Sequence, residues 1–286
     1  MIDIDFFDQL DRFTFMVRKR VSTLYKGTRR SVRYGKGTEL VGFREYTRGD
    51  DIRLIDWKVY ARTDKLFIRE FEEEKSAITH ILLDSSRSMS FGRPYTKFEY
   101  GAMLGAGIAY LVVKNSEKFA FSTFSERIAI NPPRKSLSSI VSIVDELERM
   151  EIKGKTKLLG AIEEFTDVLR TRSVVVLISD FLVKPEEVRR ALMRIGRHEI
   201  IMIQVLSDIE WELDVYGSVE FIDSETGDKI EVYVTPSFLE EYKRRLENHI
   251  EETEKIAREV GADFFSFRTD MPVFESMLEV IEKSRY

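Results

Sequence analysis

The sequence contains no cysteine among its 286 residues. This absence excludes a disulfide framework, a thiolate metal site and a cysteine nucleophile, and it fits a reducing compartment. The chain also lacks a signal-peptide pattern, because its start, MIDIDFFDQLDRF, is acidic and has neither a basic flank nor a long apolar core. The longest nearly uncharged stretch, residues 100–113, is shorter than the ~20 apolar residues that a membrane span requires. We therefore expect a cytoplasmic protein without a membrane span.

Charge of one sign does not dominate the chain. The formal net charge is -5, which gives no overall attraction to nucleic acid or anionic lipid. The first quarter is nevertheless basic, with 16 Lys/Arg against 6 Asp/Glu from Arg12 to Arg69. Nucleic-acid binding requires a basic stripe with exposed aromatic side chains, and Asp50, Asp51 and Asp56 interrupt this stripe. We therefore do not expect a nucleic-acid partner.

The pattern of apolar residues changes twice along the chain. Residues 4–24 follow a helical period and predict one amphipathic helix, whereas residues 25–75 mix glycines with charges and predict an irregular or β-containing segment. From Ala77 onward, short apolar strands alternate with amphipathic helices. The predicted strands are 77–83, 118–124, 127–130, 173–179, 199–206 and 262–267, and the predicted helices are about 97–114, 136–150, 157–171, 185–196, 236–260 and 272–284.

This alternation predicts the fold class. Strands rich in valine, isoleucine and leucine without clean alternation are typical of a sheet buried on both faces. With helices between them they predict an α/β fold with a doubly wound, mostly parallel sheet. A β-hairpin around a Glu-Thr-Gly-Asp turn is predicted as an insertion at about 215–235. We divide the chain into an N-terminal segment, 1–75, and a sheet domain, 76–286. At roughly 150 residues per domain, the chain is long enough for one large or two ordinary domains.

Three glycines, Gly101, Gly105 and Gly107, lie within the predicted helix 97–114. They superficially suggest a nucleotide-binding loop, but such a loop lies between a strand and a helix. We expect them instead to allow close packing of the helix against the sheet.

Side chains that carry oxygen follow two of the predicted strands. Asp84, Ser86 and Ser88 come at or just beyond the end of the first strand of the sheet domain, and Asp180 follows the strand VVVLIS. Thr156 lies in the N-cap region of a predicted helix. Because ligands of open α/β sheets bind beyond the carboxyl ends of the strands, we expect these five side chains to converge.

The chemistry of this set indicates a divalent metal. Hard oxygen donors with few charges suit Mg²⁺ best, with Mn²⁺ or Ca²⁺ as alternatives, and they do not suit zinc. Two carboxylates neutralise a divalent ion, and five protein groups leave room in an octahedral shell for an external oxygen. Asp and Ser after a strand are also ordinary turn and N-cap residues, which is the structural alternative. The presence of all three loops in the right order favours the metal site.

The segment DSSRSM, residues 84–89, together with Thr156 and Asp180, resembles the metal-ion-dependent adhesion site of von Willebrand factor A domains. In that family the two serines bind the metal directly, the threonine does so in the ligand-bound state, and the second aspartate often acts through water. A partner's carboxylate can complete the shell. The resemblance, which covers about 77–206 and the last strand and helix, implies the metal ligands Asp84, Ser86, Ser88, Thr156 and Asp180. Phe181 stands where many of these domains have glycine, so the resemblance does not fix the shape of that loop.

A second resemblance lies in the basic segment, residues 39–74. Its features are Arg44-Glu45-Tyr46, Gly49-Asp50-Asp51, Arg53, Ile55-Asp56-Trp57, Ala61-Arg62 and Arg69-Glu70-Phe71. These features are similar to the signature of a prokaryotic family, domain of unknown function fifty-eight, whose members join such a segment to a von Willebrand factor A-like domain. The resemblance implies a MoxR-type AAA+ ATPase as partner, because members are often encoded beside one, and it implies no enzymatic reaction. From the residues alone, these charges and aromatics are at least as well explained by a hydrogen-bonded network that pins irregular chain to a core.

These observations favour a metal-dependent protein-binding module, an adaptor that works with a MoxR-type AAA+ ATPase in assembling or activating other proteins. Its partner would offer an acidic side chain to the metal. The competing hypothesis is a metal-assisted phosphohydrolase in which Arg87 and Lys155 stabilise a phosphate, although no histidine, second carboxylate pair or Walker-type loop accompanies the proposed ligands. The third hypothesis is a scaffold with a vestigial metal site. We expect no catalytic residues, and we interpret His80, His198 and His249 as packing residues.

Overall fold

The computed structural model describes residues 6–13, 39–47, 50, 52–72 and 78–284. Contacts divide the chain into two compact units, one comprising Met1–Lys19 with Ala77–Tyr286 and the other Arg20–Ser76. Residues 6–13 are helical and belong to the larger unit. The predicted continuation of this helix, from residue 14 to residue 24, lies outside the described residues. The division of the chain at 75/76 stays a prediction.

The described strands and helices have the following bounds. The strands are β1 (Glu39–Glu45), β2 (Phe67–Glu72), β3 (Ile78–Asp84), β4 (Lys118–Phe124), β5 (Ile128–Ala129), β6 (Val174–Ser179), β7 (Glu199–Leu206), β8 (Gly217–Ile222), β9 (Lys229–Val234) and β10 (Asp263–Arg268). The helices are α1 (6–13), α2 (Trp57–Thr63), α3 (Lys97–Lys114), α4 (Leu137–Glu148), α5 (Leu158–Thr166), α6 (Pro185–Ile195), α7 (Asp208–Trp211), α8 (Pro236–Val260) and α9 (Val273–Lys283).

A six-stranded sheet in the order β10-β7-β6-β3-β4-β5 forms the centre of the larger unit. Every pair in it is parallel except β4 with β5, which is antiparallel. The chain leaves β3 on one side to build β4 and later returns to the other side of β3 to build β6, so the strand order reverses between β3 and β6. Ligands of doubly wound sheets bind at such a switch point. The predicted α/β fold is confirmed.

Both faces of the sheet are covered, which explains why the central strands are apolar without alternation. On one face, Leu82 and Leu177 join a buried cluster with Phe165 of α5 and Leu192 of α6. On the other face, α3 packs against β3, β4 and β6. All six residues of β6 are buried. The carboxyl ends of β3 and β6 are therefore held by a rigid core.

The glycines of α3 allow this helix to approach the sheet closely. A Cβ atom at Gly105 would lie 2.7 Å from Cε2 of Phe121, and one at Gly101 would lie 2.8 Å from Cδ1 of Leu83. Such distances are shorter than van der Waals contact, so a larger residue would push the helix away from the strands. The predicted packing against the sheet is confirmed for Gly101 and Gly105, whereas Gly107 lies against Met277 of α9.

The predicted hairpin consists of β8 and β9, which pair antiparallel from Gly217↔Val234 to Ile222↔Lys229. Its turn is held by Asp223, whose carboxylate accepts hydrogen bonds from the backbone N–H groups of Glu225 at 2.7 Å and Thr226 at 2.9 Å. Gly227 has a φ of 77°, in the left-handed region that glycine tolerates without strain. The tip of the hairpin is therefore an ordered turn.

The smaller unit contains the antiparallel pair β1 and β2 and the helix α2. Arg44 donates to Asp50 at 2.9 Å, and this guanidinium holds the pKa of Asp50 at about 2. Asp56 caps α2 by accepting from the backbone N–H groups of Lys58 and Val59. These hydrogen bonds lie within the smaller unit, and α2 was not foreseen in this segment.

Most of the predicted elements of the sheet domain have the expected type and nearly the expected bounds. The main difference is α5, which ends at Thr166 and not near residue 171. In the part of the chain that the structure describes, every helix is too short or too polar to cross a lipid bilayer.

Candidate metal centre

Asp84 is the last residue of β3 and is fully buried. Its Oδ1 atom accepts a hydrogen bond from the backbone N–H of Ser86 at 2.8 Å. Its Oδ2 atom accepts from the hydroxyl of Ser179, at the end of β6, at 2.7 Å and from the hydroxyl of Thr156 at a long 3.4 Å. Asp84 thus joins the carboxyl ends of β3 and β6 to the loop before α5.

The two serines behind Asp84 lie together. The hydroxyl oxygens of Ser86 and Ser88 are 3.0 Å apart, with Ser86 fully buried and Ser88 half-buried. Ser88 belongs to a 3₁₀ turn, Arg87–Ser90, which begins directly after Ser86. This turn brings both hydroxyls of the alternating pattern to one place.

Backbone hydrogen bonds fasten the serine loop to the loop that carries Thr156. The N–H of Arg87 donates to the carbonyl of Gly154 at 3.0 Å, and the N–H of Lys153 donates to the carbonyl of Ser85 at 3.2 Å. Gly154 has a φ of 87°, which explains why glycine stands there. The hydroxyls of the two loops are therefore held in fixed positions relative to each other.

Thr156 has a partner that was not foreseen. Oε1 of Glu225, at the tip of the β8–β9 hairpin, accepts from the Thr156 hydroxyl at 3.0 Å and from its backbone N–H at 3.2 Å. A carboxylate from a distant part of the chain therefore lies against one of the proposed metal ligands.

Asp180 is held by a buried lysine. Nζ of Lys97, in the first turn of α3, lies 2.7 Å from Oδ2 of Asp180 and 2.6 Å from Oε1 of Glu210. Oδ1 of Asp180 accepts from the backbone N–H of Leu182 at 3.2 Å. Burial alone lowers the pKa of Lys97, but the charges of Asp180 and Glu210 outweigh it and raise that pKa above its ordinary value. Lys97 is therefore a fixed cation beside the cluster.

Phe181 adopts the backbone conformation that glycine favours. Its φ is 50°, in the left-handed region, and its side chain is fully buried. The carbonyl of Phe181 lies 2.8 Å from Nε2 of His249, and its N–H donates to the Ser179 hydroxyl at 3.2 Å. Burial of the phenyl ring, worth roughly 2 kcal/mol, offsets a backbone strain of about 1–3 kcal/mol. The loop after β6 thus turns sharply without a glycine.

The electrostatics of Asp84 fit a cation. Burial and the charge of Asp180 raise the pKa of Asp84, hydrogen bonds from Ser179 and Ser86 oppose them in part, and the resulting pKa is about 7. The hydrogen-bond partners of Asp84 are neutral hydroxyl and amide groups, so a divalent ion there would supply a positive charge that these partners do not. The donor set consists of oxygen atoms, as Mg²⁺ requires.

Such an ion would depend on hydroxyl ligands. Within the described residues, no group of three acidic, histidine or cysteine side chains lies close enough together to hold a metal. The residues that fit the ion are therefore Asp84 with the hydroxyls of Ser86, Ser88 and Thr156.

The chain is similar in sequence to known proteins over most of its length. It matches the family described as "Protein of unknown function DUF58" over residues 42–252. The chain belongs to the DUF58 family. This is the family that the segment 39–74 resembles, so the expected membership is confirmed. Uncharacterized protein Rv1480 of Mycobacterium tuberculosis is 25% identical to this DUF58 chain over 274 residues, covering 94% of this chain and 86% of that protein.

Solved structures are similar to more than two thirds of the chain. The conserved hypothetical protein BatB from Bacteroides thetaiotaomicron is 15% identical, with 73% of this chain and 100% of that chain covered and a TM-score of 0.43. The SpRpn10 VWA domain is 11% identical, with 71% of this chain and 94% of that chain covered and a TM-score of 0.41.

Sequence reasoning missed three charged side chains around the cluster in this DUF58 chain. The position of Lys97 in the sequence could have indicated an acidic partner. A basic residue in the first turn of a helix is unfavourable beside the positive end of the helix dipole, and an acidic partner compensates for this. Glu210 follows the N-cap Ser207 as part of a capping box, which accounts for its type without a functional role. Glu225 was interpreted as part of a turn. Its contact with Thr156 joins residues 69 positions apart.

A cavity of about 690 Å³ lies elsewhere on the carboxyl side of the sheet, with Trp211, Tyr242 and Arg268 in its lining. None of its lining residues belongs to the oxygen cluster. Of the histidines, His80 packs edge-on against Phe165 at 5.2 Å between ring centroids. The cluster around Asp84 is therefore the candidate site of this DUF58 chain.

Proposed function

We propose that this protein is a protein-binding module that recognises its partner through a divalent cation at the end of β3, with Mg²⁺ as the ion. One observation carries the proposal. Four oxygen-bearing side chains from two loops, Asp84, Ser86, Ser88 and Thr156, converge at the switch point of a parallel sheet. These four are the proposed metal ligands.

In this proposal Asp180 supports the ion without binding it directly. Both of its carboxylate oxygens already have partners, Lys97 and the N–H of Leu182. A carboxylate held in this way supports the ion through water more readily than by direct contact. The ion then has its negative charge from Asp84 and retains a net positive charge, which attracts an acidic side chain of the partner.

The partner that we propose is a MoxR-type AAA+ ATPase, for which this chain is an adaptor in the assembly or activation of other proteins. Membership of the family supports this choice through the sequence resemblance. The proposal places the interaction in the cytoplasm, where such an ATPase has access to ATP, and assigns the binding surface to the sheet domain.

A binding measurement with a chelator tests the proposal. Full-length protein is immobilised, and a purified MoxR-type ATPase from the same organism is passed over it with Mg²⁺ or with excess EDTA. The Asp84→Asn variant keeps the size of the side chain and removes its charge. Asp145→Asn, at an exposed position of α4, is the matched control.

We expect binding with Mg²⁺ for the wild type and for Asp145→Asn, and loss of binding with EDTA or with Asp84→Asn. Binding that persists under both treatments contradicts recognition through a metal. If purified protein binds no divalent ion, the module is a scaffold with a vestigial site. Turnover of p-nitrophenyl phosphate that requires Mg²⁺ and disappears in Asp180→Ala would support a phosphohydrolase instead.

A further inference from the structure

The contact between Glu225 and Thr156 brings a carboxylate of this chain against one of the proposed metal ligands. Oε1 of Glu225 lies 3.0 Å from the hydroxyl of Thr156, and that hydroxyl lies 3.4 Å from Oδ2 of Asp84. Glu225 is half-buried, whereas both residues that flank it are exposed. The side chain thus points away from solvent toward the cluster.

The hairpin is built to hold Glu225 in this place. Asp223 accepts from the N–H groups of Glu225 and Thr226, and Gly227 closes the turn with a left-handed backbone. Close to the turn, where Phe221 pairs with Ile230, the ring of Phe221 stacks on Phe238 of α8 at 6.3 Å between centroids. The position of Glu225 is therefore fixed both at the turn and through the strands that carry it.

The charges make this contact informative. Asp84 and Glu225 are two acidic side chains that share the hydroxyl of Thr156 as a neighbour. Carboxylates that approach each other repel unless a cation or a proton lies between them. Thr156 has one hydroxyl proton and one N–H to donate, and these do not neutralise two negative charges. A cation beside both carboxylates would neutralise them.

We propose that Glu225 is an internal ligand of the divalent cation and fills the coordination position that a partner's carboxylate would otherwise take. This inference rests on the proposed function, because it requires a cation at Asp84. An acidic partner then has to displace Glu225, so the β8–β9 hairpin competes with the partner for the metal. The alternative is that Glu225 only caps the N–H of Thr156 and has no role toward a metal.

Manganese binding to full-length protein distinguishes Glu225 as a metal ligand from Glu225 as a structural cap. The Kd of Mn²⁺ is measured by calorimetry for the wild type, for Glu225→Gln and for the matched control Glu231→Gln. Glu231 is an exposed residue of the same hairpin, and its carboxylate accepts from Ser218. Both variants remove one negative charge, but only the first removes it beside Thr156.

We expect Glu225→Gln to weaken Mn²⁺ binding by about tenfold or more, as loss of a carboxylate at or next to a metal does. Glu231→Gln should change the Kd by less than about twofold, because solvent screens its charge. Water-proton relaxation by the bound Mn²⁺ should increase in Glu225→Gln, since a water molecule takes the vacated position.

Two results would overturn the inference, and they differ from each other. If the wild type and Glu225→Gln bind Mn²⁺ with equal affinity and equal relaxivity, Glu225 is a structural cap, and the proposed function is unaffected. If the wild type binds no Mn²⁺, the proposed function fails and this inference fails with it.

Discussion

Lys97 and Asp180 form an ion pair that solvent barely reaches. Their side chains are 1% and 2% exposed, and Nζ of Lys97 lies 2.7 Å from Oδ2 of Asp180. The same ammonium group lies 2.6 Å from Glu210. Sequence reasoning counted Asp84 and Asp180 as the charges that neutralise a divalent ion. Since Asp180 is already paired with Lys97, the account of the site depends on Asp84 and on carboxylates from elsewhere.

Lys97→Met should destabilise the protein strongly. The variant keeps the length of the apolar stem but leaves Asp180 buried without its cation, and breaking a buried pair in this way costs about 3–5 kcal/mol. The free energy of unfolding, measured by urea denaturation, checks this. The double variant Lys97→Met/Asp180→Asn should lose less than the sum of the two single variants, because no isolated charge remains at that pair.

Lys114→Met is the control on the same helix. Lys114 lies at the other end of α3 and pairs with Asp11, with 30% and 61% of their side chains exposed. An exposed pair of this kind contributes at most about 1 kcal/mol. Equal losses of unfolding free energy in Lys97→Met and Lys114→Met would show that the contacts of Lys97 with Asp180 and Glu210 stabilise the protein no more than an exposed pair does.

Mg²⁺ should stabilise the wild type and not the Asp84→Asn variant. A ligand that binds only the folded state adds about 2.7 kcal/mol at a concentration of 100 times its Kd. Without metal, Asp84→Asn should be at least as stable as the wild type, because it removes a buried charge. Thermal unfolding with Mg²⁺ and with EDTA measures both effects. An equal Mg²⁺-induced rise in Tm for both proteins would place the ion elsewhere.

The parts of the site that could be predicted are those fixed by local sequence. Asp84, Ser86 and Ser88 are positioned by the end of one strand and the turn after it, so the predicted strand end indicated that they lie close together. Lys97 and Glu225 could not be found in this way, because their partners are 83 and 69 residues distant and meet them only in the folded chain. Helix α2 was missed in a segment whose charges and glycines obscured the helical period.

Gly105→Ala should destabilise the protein by about 1–3 kcal/mol, because the added methyl group meets the ring of Phe121 at 2.7 Å. Gly160→Ala is the matched control in α5, where an added Cβ atom meets nothing within 4 Å. In this exposed helical position alanine should stabilise by roughly 0.5–1 kcal/mol. Chemical denaturation of both variants checks the prediction, which fails if Gly105→Ala unfolds like the wild type.

His80 should make the protein less stable as the pH falls below neutrality. Burial against Phe165, with a smaller effect of His198, lowers the pKa of His80 to about 4. The unfolded chain takes up a proton near pH 6.5 that the folded chain takes up only near pH 4, so stability is lost as the pH falls through this window. The loss is on the order of 2 kcal/mol after solvent screening.

The His80→Gln variant isolates this effect. It has no proton to take up, so the difference in unfolding free energy between wild type and variant should change between pH 7 and pH 4. Parallel pH profiles of the two proteins would show that His80 titrates alike in the folded and unfolded states.

Anomalous diffraction from a crystal of the full chain grown with Mn²⁺ tests the central claim most directly. The account predicts an anomalous peak in contact with the oxygens of Asp84, Ser86 and Ser88, at the end of β3. Data from an Asp84→Asn crystal grown in the same way should lack this peak. A wild-type crystal with no peak at Asp84, or with a peak of equal height in the variant, would contradict a cation site at this edge of the sheet.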